Sequence, residues 1–355
     1  MKTQGRIILL TAFLSAILWS CAKNGSVNDT SLKQAINQSA LDLNMAMEAI
    51  SSSKAYGILT VNDGTSKSTD SIYKVYIPLD KIKGVYDYHP VTMVNRWGIS
   101  LIQFFNKTAD NSMMIVNMPL KKVVNPRTLR HYELSDSLLA NNFSIAVSGY
   151  YNNYNSYHDF DYILASEISV DKVLAGNLNI KYFVSPTLGI KYASQYAFTG
   201  SYTADYKYES GDTTVSSFTI TGNNKVLYEE KRLTAKTETE RFGHERQYIL
   251  TIGDVQIIRK SGTESVEVLV NGVLQPKAIV AIIDKEEDLE ASVCNKRDIQ
   301  ITFEDGTTTT VSALIGESIA NIKNLFDSLH QVYFAAYIVD WIAYDIYYQR
   351  NKFYR

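Results

Sequence analysis

The densest collection of side chains able to do chemistry lies in YYNNYNSYHDFDY, Tyr150 to Tyr162. His158, Asp159 and Asp161 offer one imidazole nitrogen and two carboxylates, a donor set for a cation. Tyr151, Tyr154 and Tyr157 offer rings for the apolar face of a sugar, beside asparagines and aspartates that pair with hydroxyls. The same residue types collect at hairpin tips because they tolerate turn geometry and face water, and turn chemistry outweighs metal binding here. Tyr151, Tyr154, Tyr157, His158, Asp159 and Asp161 are therefore the candidate ligand-binding set, with no metal and no cofactor expected.

The rest of the chain is poor in recognisable chemistry. Its five histidines are His89, His131, His158, His244 and His330, and no HExxH, Gly-x-Ser-x-Gly or phosphate-binding glycine pattern accompanies them. No catalytic residue can be named, and an envelope hydrolase would need a site assembled from residues distant in sequence. Cys294, in ASVCNKRD, reads as a small buried residue. Glu286 to Glu290 lacks EF-hand spacing and reads as a loop, and the charged run around GHER as a solvated strand face. No basic block is present, which argues against a nucleic-acid footprint.

The N-terminus places these residues. Lys2 and Arg6 precede an uncharged apolar run, Ile7 to Leu18, too short to span a bilayer and suited to an export signal. The run ends in Leu18-Trp19-Ser20-Cys21, which resembles the lipobox of bacterial lipoproteins; Trp19 departs from the small residue usual at that slot. The resemblance implies cleavage before Cys21, acylation of Cys21 and anchoring by acyl chains without a transmembrane helix. Ala22-Lys23-Asn24 has no aspartate next to the cysteine, which by analogy implies the outer membrane. The missing acidic run favours its periplasmic side over the cell surface. Removing residues 1–20 takes Lys2 and Arg6 from a net charge of −2, leaving −4. No intrachain disulfide is expected, because Cys21 and Cys294 are the only cysteines.

The elements that must position the candidate set follow from periodicity. Asp29, Thr30 and Ser31 offer N-caps for a helix to about Ser52, with apolar residues at three- and four-residue spacing from Leu32 to Ile50. From Tyr56 the period becomes two. YGILTV with SIYKVYIPL, ISLIQFF with MMIVNMPL, FSIAVSGYY with FDYILASEISV, and IQIT with TTTVSAL read as hairpins, the last turning at Asp305-Gly306. Ile190 to Ser210 places Tyr192, Tyr196, Phe198, Tyr202, Tyr206 and Tyr208 in one register; its length demands a bend, expected at Gly200. From about Gly316 to Lys352 the spacing predicts one long amphipathic helix with Phe326, Tyr333 and Asp340 on its stripe. Asp340 and Asp345 argue against reading Val332–Tyr348 as a membrane span, and tyrosines throughout the strands argue against a membrane β-barrel.

The expectation is an α+β fold: a large curved antiparallel sheet in meander order, with an N-terminal helix and a long C-terminal helix against its aromatic face. Residues 1–20 form the signal, 21–30 the lipidated cysteine and tether, and 31–355 one domain with room for a sub-division near 135–142. The expected role is non-catalytic binding or scaffolding in the cell envelope. The expected partners are the membrane through the acyl chains, an apolar ligand in a groove between sheet and helix or a glycan at Tyr150–Tyr162, and an envelope protein; nucleic acid is not among them.

Overall fold

The computed structural model describes residues 31–60, 74–90, 101–125, 129, 134–236, 244–262, 266–284, 297–316, 318–330 and 334–352. The expected signal, tether and Cys294 lie outside these residues.

Helix α1 (Leu32–Ser51) begins where Ser31 accepts a hydrogen bond from the Gln34 amide at 3.3 Å, tying up an orphan donor of the first turn. It buries Leu32, Ala35, Ile36, Ala40, Leu43, Ala46, Met47 and Ile50, the face that its periodicity predicts. The following segment corrects an expectation. Tyr56–Leu59 of YGILTV belong to helix α2 (Lys54–Leu59), capped by the Ser53 hydroxyl, because so short a run fits either period and the cap decides.

Next come β1 (Val75–Pro78), β2 (Gly84–Tyr88), β3 (Phe105–Ala109), β4 (Met114–Met118) and the short helix α3 (Leu120–Val124). Strand β4 pairs parallel to β2, and β3 lies antiparallel on the other side of β2. The expected ISLIQFF/MMIVNMPL hairpin therefore does not form: Leu101–Phe104 is a turn of 3-10 helix, β3 begins only at Phe105, and β3 and β4 flank β2 in a mixed sheet. The expected partner of β1 is also corrected, since β1 pairs with β5.

From there the meander is regular. Strands β5 (Phe143–Ser156), β6 (Asp159–Val170), β7 (Val173–Ser185), β8 (Gly189–Phe198), β9 (Tyr202–Glu209), β10 (Thr213–Gly222), β11 (Lys225–Lys236), β12 (His244–Ile252), β13 (Val255–Lys260), β14 (Val266–Val270) and β15 (Val273–Leu274) each pair antiparallel with the next. The sheet has fifteen strands and is open among the described residues: fourteen run in a path from β15 to β3, and β1 joins it off that path through β5. Ile190 to Ser210 is two strands, not one bent ribbon. Gly200 at φ +102° and Ser201 at φ +68° reverse the chain, placing Tyr192 opposite Tyr208 and Ser194 opposite Tyr206. The aromatic register stays on one face because pairing preserves the pleat.

A second sheet of β16 (Ile279–Asp284), β17 (Arg297–Thr302) and β18 (Thr308–Thr310) contains the expected Asp305-Gly306 turn, with Gly306 at φ +78°. Helices α4 (Val311–Ile315), α5 (Ser318–Leu329) and α6 (Phe334–Lys352) follow. The single helix expected from Gly316 to Lys352 is thus two helices, and VSAL supplies α4 instead of extending β18. Among the described residues no helix is long and apolar enough to cross a membrane. One continuous apolar cluster links α1 and α5–α6 to the helix-covered face of the large sheet.

Candidate functional site

The hairpin of β5 and β6 divides the candidate set between two faces. Tyr154 and Phe160 lie on the helix-covered side; Tyr151, Asn153 and Asp161 lie on the reverse, where Tyr151 meets Tyr76 from β1 at 5.7 Å and 88°. Tyr157 and His158 form the turn, and Tyr157 is 64 % exposed. Its ring stands at 90° to that of Tyr154, so these two do not present a flat stacking platform. The His158 amide donates to Ser156 Oγ at 3.2 Å, and Asn155 Nδ2 donates to Asp159 Oδ2 at 3.2 Å. These are turn contacts. Among the described residues no three His, Cys, Asp or Glu side chains are grouped to hold a metal ion.

The two outermost tyrosines of that stretch have a different fate. Tyr150 on β5 and Tyr162 on β6 are buried, with their rings edge-to-face at 6.0 Å. Both hydroxyls donate to the same oxygen, Oδ1 of Asp340 on α6, at 2.9 and 3.0 Å. Helix α6 brings Asp340 there because Ala336, Val339 and Ala343 share its inner side and are buried. Asp340 keeps part of its residue surface, yet its carboxyl group is embedded in protein. Loss of hydration pushes its pKa up to about 7, against the lowering effect of the two hydroxyl donors. Burial and the facing carboxylate hold both phenols well above their ordinary range. Asn152 lies two residues along β5, opposite Tyr162, and its buried Oδ1 makes no hydrogen bond. A carboxyl group able to titrate near neutrality, two phenols and a free amide acceptor thus meet in an apolar layer. They can hold a hydroxyl or protonated carboxyl group by hydrogen bonds.

Aromatic contacts run from this node across the sheet. Phe160 meets Tyr182 at 5.2 Å, Tyr182 meets Tyr192 at 5.6 Å, and Tyr192 meets Tyr206 at 5.8 Å. Phe326 of α5 stands edge-on to Tyr206 and Phe218, and His330 stacks on Phe326 at 5.0 Å. The Tyr192 hydroxyl donates to the carbonyl of Leu329 at 2.9 Å, satisfying an orphan acceptor at the end of α5. Burial pushes the Tyr192 phenol up to about 12.

A second buried polar group lies off the sheet. Lys122 of α3 and Asp136 form an ion pair at 2.7 Å with side chains 3 % and 2 % exposed. Burial first, then the charge of Asp136 and a hydrogen bond to it, raises the Tyr88 phenol.

Sequence reasoning missed Asp340, Tyr150 and Tyr162 as one group. The available signals were a carboxylate on the apolar stripe of a helix, and the alternation that sends Tyr150, Asn152 and Tyr154 to one side of β5. No protein-family model, curated protein or solved structure matches the chain.

Proposed function

We propose that the chain is a bacterial lipoprotein, acylated at Cys21 and held at the periplasmic side of the outer membrane. Its role is non-catalytic binding of an apolar ligand with a hydroxyl or carboxyl head. The lipobox-like Leu18-Trp19-Ser20-Cys21 supports the anchor. One observation carries the binding role: Tyr150, Tyr162 and Asp340 converge beside the unpaired Asn152 Oδ1, within an otherwise apolar layer. A buried acceptor left unpaired costs about 1–3 kcal/mol, and a ligand hydroxyl at that position recovers it. In this reading the C-terminal segment is an amphipathic cover over a curved sheet, and the ligand's apolar part lies along the aromatic row.

Native mass spectrometry of the purified chain tests the binding role. The expected spectrum contains a lipid adduct that Asp340→Ala and Asn152→Ala each reduce; equal adduct in wild type and both variants refutes the assignment. Metabolic labelling with a radioactive fatty acid tests the anchor. Label is expected on the wild type and absent from Cys21→Ser, and an unlabelled wild type overturns the lipoprotein reading.

A further inference from the structure

Beyond the end of α5, the helix-covered face of the sheet changes character. On β11 to β13 it carries Arg232, Lys236, Arg246 and Arg259. Arg232 lies opposite Tyr248, and Tyr248 lies opposite Arg259. Lys236 and Arg246 follow at even spacing along their own strands, hence on the same side. Tyr228, Leu250 and Ile257 enter the core from this side, which establishes the face. Among the described residues of these strands, Glu230 is the carboxylate on that side. It receives the Tyr228 hydroxyl and stands 4.0 Å from Arg232. The reverse face of the same strands is mixed, with Lys231 and Lys260 among Glu229 and Glu245, and Lys260 pairs with Glu267 of β14 at 3.2 Å. Solubility alone does not require sorting cations to one side.

The arrangement is linear. Tyr208, Ser216, Arg232, Tyr248 and Arg259 face each other in turn across five neighbouring strands. At about 4.8 Å per strand the row is about 19 Å long. Arg232 is 70 % exposed at its side chain, and its guanidinium lies 5.9 Å from the centre of the half-buried Tyr248 ring. Arg246 and Arg259 are exposed. Guanidinium forks pair with carboxylates bidentately, and phenol rings offer flat apolar surfaces between them. Beside the row on this face lie Thr214, Thr234 and His244, with the half-buried Val266 opposite Arg259, and none is a large exposed apolar group of the kind that a bilayer contact inserts.

We propose that this row binds a linear, carboxylate-bearing saccharide, with Arg232 and Arg259 holding acid groups on either side of a ring that stacks on Tyr248. The site is separate from the Asp340 node and stands independently of the lipid-binding reading.

Calorimetric titration of the full chain in detergent with oligogalacturonate tests it, with neutral dextran and phosphatidylglycerol vesicles as parallel probes. Oligogalacturonate is expected to bind and dextran not to. Arg232→Gln and Arg259→Gln should each weaken binding by about tenfold or more, as loss of a charge-assisted hydrogen bond does. Lys231→Gln, on the reverse face, should change nothing, and unchanged circular dichroism shows that the variants fold. Failure of oligogalacturonate to bind, or equal losses in the Lys231 variant, overturns the proposal. So does arginine-dependent binding of the vesicles without binding of the saccharide.

Discussion

Asp340→Asn isolates the energetics of the buried node. In the wild type the Asp340 carboxyl titrates near 3.8 when unfolded and at about 7 when folded. Between those values the native chain keeps a proton that the unfolded chain has released, so stability is full below the unfolded value and falls as pH rises. The slope is about 1.4 kcal/mol per pH unit, which over the whole interval amounts to roughly 4 kcal/mol. Relaxation of the surroundings and water penetration when a buried group ionises reduce the loss to about 2–4 kcal/mol. Asparagine matches the shape, stays neutral and still accepts from Tyr150 and Tyr162 through its own Oδ1. Denaturant midpoints at pH 4, 5, 6, 7 and 8 are the measurement. The two proteins should be close at pH 4, and the variant should gain progressively up to about pH 7, with no further divergence above it. Parallel curves across this range would show that the carboxyl stays hydrated, and the account of the node would fail.

Further changes probe the packing. Lys122→Met strands the buried Asp136 charge and should cost about 3–5 kcal/mol, whereas Lys122→Met with Asp136→Leu should recover most of it; denaturation midpoints decide, and a double variant as weak as the single contradicts the argument. Gly176→Ala places a methyl 2.4 Å from the Ala197 carbonyl oxygen and 2.5 Å from the Tyr196 ring, so a loss of about 2 kcal/mol or more is expected. Gly57→Ala, inside α2 with nothing within 4 Å, should instead stabilise by about 0.5–1 kcal/mol; thermal melts of the two variants should move in opposite directions. Tyr192→Phe removes the hydroxyl donor to Leu329 and should cost about 1 kcal/mol, read most directly as faster amide exchange at the end of α5.

Local rules explain which elements were legible. The α1 face, the β5–β6 hairpin and the Asp305-Gly306 turn depend on neighbours a few residues apart, and periodicity and turn chemistry read such neighbours directly. Short apolar runs were harder: YGILTV satisfies both periods, and ISLIQFF says nothing about β2 entering between it and MMIVNMPL. The candidate site divides in the same way. The stretch Tyr150–Tyr162 was visible as a collection of polar aromatics, but its members separate by face, and the pair that meets a carboxylate lies at its two ends.

By itself the sequence determined which residues share a side, because a pleated strand and a helix impose their periods on any chain. Tyr192 and Tyr196 had to face one way, and Asp340 had to lie with the apolar side of its helix. Only the tertiary structure decided what those sides touch: that Gly200 folds the aromatic ribbon back on itself, that the C-terminal segment breaks into two helices, and that Asp340 stops against Tyr150 and Tyr162. The spacing between Asp340 and its partners is 190 and 178 residues. Contacts across such separations follow from how whole elements pack, which depends on the summed burial of many side chains and leaves no period in the chain.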